Sequence, residues 1–208
     1  CTQLLHASGV PDDVLTLLPG PGSVIGSALV DHPLTAGVAF TGSTGTAKRI
    51  NIALAQKDGP IVPLIAETGG QNAMFVDSTA LPEQVTDDLI QSAFLSAGQR
   101  CSAVRVVYVQ VDVADAQIQM LVGAMDELLL GNPSEPRIDV GPIIDDSARG
   151  RLKAHIEAAS AGGKLLHSAD ATLPAPETGY HLAPALIELT NLPALWHPKV
   201  GEEDLVEV

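Results

Sequence analysis

The sequence has few aromatic residues and few basic residues. The first shortage excludes a core built on aromatic side chains, and the second argues against a nucleic-acid partner. Aromatic residues make up 3% of the 208 residues, so a core has to be built from Ala, Val, Leu and Ile. Eleven Lys and Arg stand against 25 Asp and Glu, which gives a net charge of −14. A protein that holds nucleic acid has to replace the counterions of the phosphates with clustered cations, so we expect no nucleic-acid partner through this segment.

Cysteines and long apolar runs are scarce as well. The two cysteines, Cys1 and Cys101, lie far apart and form no disulfide framework, which favours a reducing, cytoplasmic setting. The six histidines show no metal-ligand spacing, so we predict no metal site. No apolar run approaches the length of about eighteen residues that a membrane span needs, and no signal peptide is visible. The chain opens without Met inside a predicted helix, Thr2–Ala7, and we expect it to begin within a larger architecture.

What the sequence does contain is an alternation of short apolar runs with helical patterns. The predicted elements of the first part are a strand Val14–Leu18, a helix Ser23–Val30 with Ser23 as N-cap, a strand Gly37–Phe40, a helix Gly45–Gln56 and a strand Ile61–Ala66. This order is typical of a parallel sheet with crossover helices. Ligands of such sheets bind beyond the carboxyl ends of the strands, where the Gly-containing turns after Phe40 and Ala66 lie.

A second part begins near Asn72. Its predicted elements are a strand Ala73–Val76, a helix Pro82–Ala97, a strand Ala103–Val111, helices Asp115–Leu130 and Asp145–Ala161, and strands Lys164–His167 and Ala185–Leu189, with a Pro-rich loop Ser168–Gly179. The sequence therefore predicts an α/β fold in two parts. Each part looks incomplete, and the exposed sheet edges that follow from this favour self-association.

Cys101 is the first candidate for a reactive group. It lies in Gly98–Ala103 (GQRCSA), between a predicted helix and an apolar strand. A lone cysteine is more often a buried structural residue, because free cysteine is among the most buried residue types. Here small and polar neighbours leave room for a substrate, and Arg100 could favour the thiolate that attacks a carbonyl. The residues alone leave both interpretations open.

Glu67 and a Gly-containing turn are further candidates. Glu67 ends an apolar strand before two glycines, which allow a cofactor to approach closely, although a surface or helix-capping carboxylate explains it as well. The turn Phe40–Gly45 (FTGSTG) joins a strand to a helix and offers backbone N–H groups to a pyrophosphate. It is neither a Walker loop nor the Gly-x-Gly-x-x-Gly fingerprint, so alone it is weak evidence. No Gly-x-Ser-x-Gly elbow supports a serine hydrolase.

Three segments in order resemble the aldehyde dehydrogenase superfamily: Phe40–Ser43, Glu67–Asn72 and Gly98–Cys101. The gap of 34 residues between Glu67 and Cys101 also matches that family. Further segments are similar to the glutamate-semialdehyde (pyrroline-5-carboxylate) dehydrogenase module of the bifunctional bacterial proline-utilisation protein: Ala66–Ala73, Val76–Val85, Ser92–Arg105, Leu129–Pro133 and Asp139–Asp145. The likeness runs from about Gly9 to Thr190 and covers well under half of such a module.

The resemblance implies a reaction and a role for individual residues. Cys101 would be the attacking thiol, with its own backbone N–H holding the oxyanion, and Glu67 the base that activates water. The other implied contacts are Gly42 and Ser43 at the cofactor pyrophosphate, Gly69 near the nicotinamide and Ser102 at the substrate. The implied cofactor is NAD, with NADP left open. The implied reaction is the oxidation of L-glutamate 5-semialdehyde to L-glutamate through a cysteine thioester.

The resemblance also implies a domain organisation. Residues 1–67 would be part of an NAD-binding domain and residues 68–200 part of a catalytic domain, so that part of a doubly wound parallel cofactor-binding sheet joins part of an α/β aldehyde dehydrogenase catalytic domain. The tail 201–208 has no clear assignment. A fused proline dehydrogenase module is an implied partner, beside the small aldehyde substrate.

Departures from the family pattern leave alternatives open. The chain lacks the upstream Asn of the oxyanion site, the Lys and Glu that hold the adenosine ribose, and the C-terminal Glu-x-Phe-Gly-Pro segment. No role therefore transfers to Glu202 or Glu203. Because one lost oxyanion donor costs about a hundred- to a thousandfold in turnover, a catalytically incomplete fragment is the alternative function. A thiol hydrolase that pairs Cys101 with a histidine has no motif behind it.

Overall fold

The computed structural model of the chain describes residues 1–169 and 179–189. Its helices are α1 Thr2–Ala7, α2 Ser27–Asp31, α3 Thr44–Ala55, α4 Pro82–Leu89, α5 Val111–Asp126 and α6 Asp146–Gly162. Its strands are β1 Val38–Gly42, β2 Leu64–Thr68, β3 Asn72–Val76, β4 Val104–Val109, β5 Lys164–Ser168 and β6 Ala185–Glu188. The chain divides into two compact units. The first unit contains Cys1–Thr41 and Gly45–Glu67, and the second contains Gly42–Thr44 and the described residues from Thr68 onward.

In the first unit, β1 and β2 are neighbours in one sheet. Next to this pairing, the Val38 amide donates a hydrogen bond to the Pro63 carbonyl at 3.0 Å. The helix α3 starts two residues after β1 ends, at Thr44, as the strand–turn–helix pattern predicts. The strand and helix predicted over 37–56 are thus confirmed within a few residues at each end.

Two predictions for the first unit are wrong, the strand at Val14–Leu18 and the N-cap at Ser23. The apolar run Val14–Leu18 forms no strand, since it finds no strand partner among the described residues and Val14 stays 73% exposed. The helix predicted over Ser23–Val30 is present, as a π-turn, Gly22–Gly26, that continues into α2. Ser23 is not its N-cap, because Pro21 occupies that position and no side chain caps the turn.

The core of the second unit lies beneath the parallel pair β3–β4. Buried Val76 of β3 packs in one cluster with Val85 and Leu89 of α4 and with Leu121 and Met125 of α5. These are aliphatic residues and one Met, as the scarcity of aromatic residues requires. Burying each of these side chains contributes roughly 1.5–3 kcal/mol, which fixes both helices against the sheet.

Local sequence signals explain where the helices of this unit begin. Pro82 stands in the first turn of α4 with Glu83, where a missing N–H costs nothing and a carboxylate favours the helix dipole. The α6 helix begins after Asp145, whose side chain accepts a bond from the Ala148 amide at 2.7 Å. Both starts agree with the sequence prediction.

The helix predicted over Pro82–Ala97 is interrupted. After α4 the chain forms a π-turn, Ile90–Phe94, and then a short turn, Leu95–Gly98. In that turn Ser96 and Ala97 have φ values of 61° and 55°. These values lie in the left-handed region, which residues other than glycine rarely adopt. The prediction therefore holds for its first half only, and the second half is remodelled to lead the chain into β4.

The rest of the second unit is built around α6 and the antiparallel pair β5–β6. Short bridges join Leu130 to Val140 and Ile143 to Tyr180, so the segment between α5 and α6 is held at both ends. Among the residues that the structure describes, no helix combines the length and apolarity needed to cross a bilayer.

Candidate active site

Cys101 lies in a turn that connects the left-handed segment to β4. We call residues 96–103 the cysteine loop. Its last part is a β-turn, in which the Ala103 amide donates to the Arg100 carbonyl at 3.1 Å, with Cys101 and Ser102 as the two central residues. Both central residues are exposed, whereas Ala103 is 0% exposed and anchors the turn. The thiol is therefore presented on a fixed turn and is not a buried structural cysteine.

A side chain from the start of β3 holds the turn. The Asn72 amide nitrogen donates to the carbonyls of Cys101 at 2.7 Å and Ala103 at 3.0 Å. Because β3 and β4 run parallel and pair from Asn72 with Val104, the segment before β3 and the cysteine loop before β4 meet at the same end of the sheet. Asn72 closes the Glu67–Asn72 motif, so one sequence motif directly supports another.

Arg105 supports the loop from the other strand. The register of β3 and β4 shifts here, since Asn72 pairs with Val104 but Ala73 pairs with Val106, which leaves Arg105 as an extra residue. Such a bulge re-aims a side chain. The Arg105 guanidinium donates to the carbonyls of Gly98 at 2.9 Å and Arg100 at 3.4 Å. Burial lowers the pKa of Arg105 from its ordinary value, yet the guanidinium keeps its charge.

Gln99 and Arg100 tie the loop to neighbouring segments. The Gln99 side chain donates to the Pro142 carbonyl at 3.2 Å and accepts from the Ile144 amide at 2.9 Å. The Arg100 guanidinium donates to the carbonyls of Gln91 and Ser92, at the π-turn. These bonds give Arg100 a structural role. The predicted effect of its charge on the Cys101 thiol stays a prediction.

The remaining predicted site residues lie in several places. Glu67 is an exposed residue of β2 and belongs to the first unit, whereas Gly69, Cys101 and Ser102 belong to the second. The pairing of Glu67 with Cys101 therefore stays a prediction. Gly69 lies in the connection between β2 and β3, close in sequence to Asn72.

Gly42 and Ser43 form the turn between β1 and α3. Gly42 is the last residue of β1, and Ser43 is 8% exposed and directly precedes the helix. The first turn of α3 contains no acidic side chain, so nothing there repels an anion from the helix N-terminus. The chemistry of this turn fits a phosphate group.

A cavity of about 740 Å³ lies in the second unit and reaches the cysteine loop, since Ala97, Gly98 and Arg105 are among its lining residues. It extends along β4 between α5, α6 and β6, and its lining is mainly aliphatic, with Leu121, Val140 and Ile156 among its residues. Neither Cys101 nor Ser102 lines it. Cys101 thus lies outside the lining of this cavity, on the exposed turn next to it. Among the described parts of the chain, no group of His, Cys, Asp and Glu is arranged to hold a metal ion.

Sequence comparison relates the chain to known enzymes. The sequence pattern described as "Aldehyde dehydrogenase family" matches residues 1–196. The "Bifunctional protein PutA" of Klebsiella aerogenes is 45% identical over 199 residues, which are 92% of this chain and 15% of that protein. The 1-pyrroline-5-carboxylate dehydrogenase of Anoxybacillus flavithermus is 34% identical over 79% of this chain and 32% of that protein.

Solved structures give the same relation. A mutant of Proline Utilization A (PutA) from Bradyrhizobium japonicum superimposes with a TM-score of 0.84 at 54% identity, over 91% of this chain and 19% of that one. The 1-pyrroline-5-carboxylate dehydrogenase from Thermus with bound NAD gives a TM-score of 0.81 at 26% identity, over 89% of this chain and 36% of that one. The chain thus spans between 15% and 36% of the length of these relatives.

Proposed function

This chain belongs to the aldehyde dehydrogenase family, and from that premise we propose that it is the segment of an NAD-dependent L-glutamate 5-semialdehyde dehydrogenase that carries the attacking thiol. The observation that carries the proposal is the exposed Cys101 at the centre of a turn anchored by Asn72 and Arg105. A held, accessible thiol suits attack on a carbonyl better than it suits a structural role. The names of the PutA and 1-pyrroline-5-carboxylate dehydrogenase relatives support the substrate.

Cys101 and Glu67 would divide the oxidation into two steps. The Cys101 thiolate adds to the aldehyde carbon and forms a hemithioacetal, whose oxyanion lies within reach of the Cys101 backbone N–H. Loss of hydride from the substrate carbon leaves an acyl thioester on the sulfur. Glu67 then takes a proton from a water molecule, which adds to the thioester, and the C–S bond breaks to release the carboxylic acid and the thiol. Covalent catalysis of this kind replaces one difficult step by two easier ones.

Residues of the second unit would hold the cofactor and the substrate. Gly42 and Ser43 would contact the pyrophosphate at the start of α3, and Gly69 would lie near the nicotinamide. A bound NAD supplies the hydride acceptor for the reaction. Ser102, exposed beside Cys101, would contact the aldehyde substrate. The choice between NAD and NADP is left open.

Partners and location follow from the same premise. The name "Bifunctional protein PutA" of one relative supports a second, fused activity, and a fused proline dehydrogenase module stays part of the proposal. Each sheet among the described residues has two strands, so each strand has an unpaired edge that favours self-association or cover by further chain. A cytoplasmic location stays part of the proposal, and the tail 201–208 lies outside the described residues.

The test is NADH formation by this chain with NAD and L-glutamate 5-semialdehyde. Two matched variants are compared with the wild type, Cys101→Ala and Cys1→Ala, because both cysteines are exposed and only one is the proposed nucleophile. We expect turnover in the wild type and in Cys1→Ala, and none in Cys101→Ala. A well-folded chain without turnover would contradict the proposal for these 208 residues and favour the incomplete fragment.

A further inference from the structure

Asn72 makes contacts that its place in the motif did not explain. Its side-chain nitrogen carries two N–H donors, and both are used, on the carbonyls of Cys101 and Ala103. The residue is half-buried at the start of β3, so the backbone that carries its amide is fixed by the sheet. A side chain that satisfies two carbonyls on either side of Ser102 fixes the orientation of that part of the turn.

The geometry of the peptide bond carries this orientation to the other side of the turn. A trans peptide is planar, and its C=O and N–H point in opposite directions. The Cys101 carbonyl points at Asn72, so the Ser102 N–H, in the same peptide, points away from β3. The Arg100 carbonyl is likewise held, by Ala103 and by Arg105, so the Cys101 N–H points away from those groups.

Both outward N–H groups are open donors. Among residues 1–169 and 179–189, no acceptor is found for the backbone N–H of Cys101 or of Ser102, although the loop's carbonyls at 98, 100, 101 and 103 all have donors. Since Cys101 and Ser102 are exposed, a ligand oxygen can reach these groups. Paired backbone N–H donors beside a nucleophile stabilise the negative oxygen that forms when the nucleophile adds to a carbonyl.

We propose that Asn72 is a positioning residue that sets the Cys101–Ser102 peptide so that the Ser102 N–H, beside that of Cys101, donates to the substrate oxygen. The inference rests on the proposed function of Cys101 as the nucleophile. It adds a second backbone donor beside the Cys101 N–H. Asn72 itself does not touch the substrate.

The test compares two reactions of the same thiol. Acylation of Cys101 by p-nitrophenyl acetate passes through a tetrahedral oxyanion before p-nitrophenolate leaves, whereas alkylation by iodoacetamide displaces iodide without one. The ratio of the two rates, measured by mass spectrometry of the Cys101 peptide, therefore reports oxyanion stabilisation separately from accessibility and thiol ionisation. N-acetylcysteinamide in the same tube gives the ratio for an unpositioned thiol.

We expect the ratio at Cys101 to exceed that of the free thiol. In Asn72→Ala and in the isosteric Asn72→Asp, neither of which can donate two bonds at neutral pH, the ratio should fall about tenfold or more while alkylation stays within about twofold. Asn51→Asp, the same exchange on the exposed face of α3, should change neither rate.

The outcomes separate this inference from the proposed function. An elevated ratio that is the same in the wild type and in all Asn72 variants would overturn the inference and leave Cys101 as the nucleophile. A wild-type ratio equal to that of the free thiol would overturn the inference and also count against the proposed function. Circular dichroism checks that each variant is folded, and Asn72→Asp, which keeps the shape of the side chain, decides the matter if Asn72→Ala does not fold.

Discussion

Gly98 is the position where the cysteine loop tolerates least change. Its φ is +66°, in the left-handed region, and a Cβ there would lie 2.8 Å from the Ala93 carbonyl oxygen and 3.2 Å from a guanidinium nitrogen of Arg105. The left-handed backbone costs a non-glycine residue about 1–2 kcal/mol, and forcing extra volume into a packed site costs about 1–3 kcal/mol. Gly98→Ala should therefore lower the free energy of unfolding of the second unit by about 2–5 kcal/mol.

Gly123→Ala is the matched control, because it is the same substitution in the same unit with the opposite expected sign. Gly123 lies inside α5, is exposed, and an added Cβ would meet nothing within 4 Å. Alanine is a better helix former than glycine by about 1 kcal/mol. Gly123→Ala should therefore raise the free energy of unfolding by about 0.5–1 kcal/mol.

Urea unfolding followed by circular dichroism measures both variants. The midpoint of the transition should shift down for Gly98→Ala and up for Gly123→Ala, with the slope unchanged. The reasoning would be refuted if Gly98→Ala unfolded at the wild-type midpoint while Gly123→Ala behaved as expected. The left-handed turn and its close approach to Ala93 would then be wrong, and with them the described geometry of the cysteine loop.

Two further predictions concern an N-cap and a carboxylate. Asp145→Ala removes the acceptor of the Ala148 amide (2.7 Å) and should lower the free energy of unfolding by about 1 kcal/mol, whereas Asp145→Asn keeps an acceptor and should lose much less; equal losses in urea unfolding would contradict the cap. The pKa of Asp77 lies below its ordinary value, first because the Thr79 hydroxyl donates to it at 2.6 Å and second because the Thr79 amide does, so Thr79→Val should raise that pKa part of the way back. Because the pKa of Asp77 is lower in the folded chain than in the unfolded chain, the ionised carboxylate stabilises the fold at a pH above its unfolded pKa. This stabilisation is lost as the pH falls through the folded pKa, so the Thr79→Val variant should lose it at a higher pH. An NMR titration of the Asp77 carboxyl that is the same in both proteins would count against this.

Most elements could be predicted from the sequence, since each depends on a local pattern. The α/β fold is confirmed. The ends of β4 and α6 differ from the predicted ends by only a few residues. The errors arise where tertiary contacts decide. Val14–Leu18 is apolar enough for a strand but finds no strand partner in the described part of the chain, and the helix from Pro82 gives way to the turns that direct the chain into β4.

The candidate site divides in the same way. Cys101 could be singled out because its neighbours are small and polar, and the structure does place it on an exposed turn. The residues that hold that turn could not be predicted, because Arg105 reaches the loop only through a shift in strand register and Asn72 only through the parallel pairing of β3 with β4. Register is a property of two segments together, so no single segment of sequence encodes it. The exposure of Cys101 could thus be expected from its neighbours, whereas the residues that hold its turn emerge only from the fold.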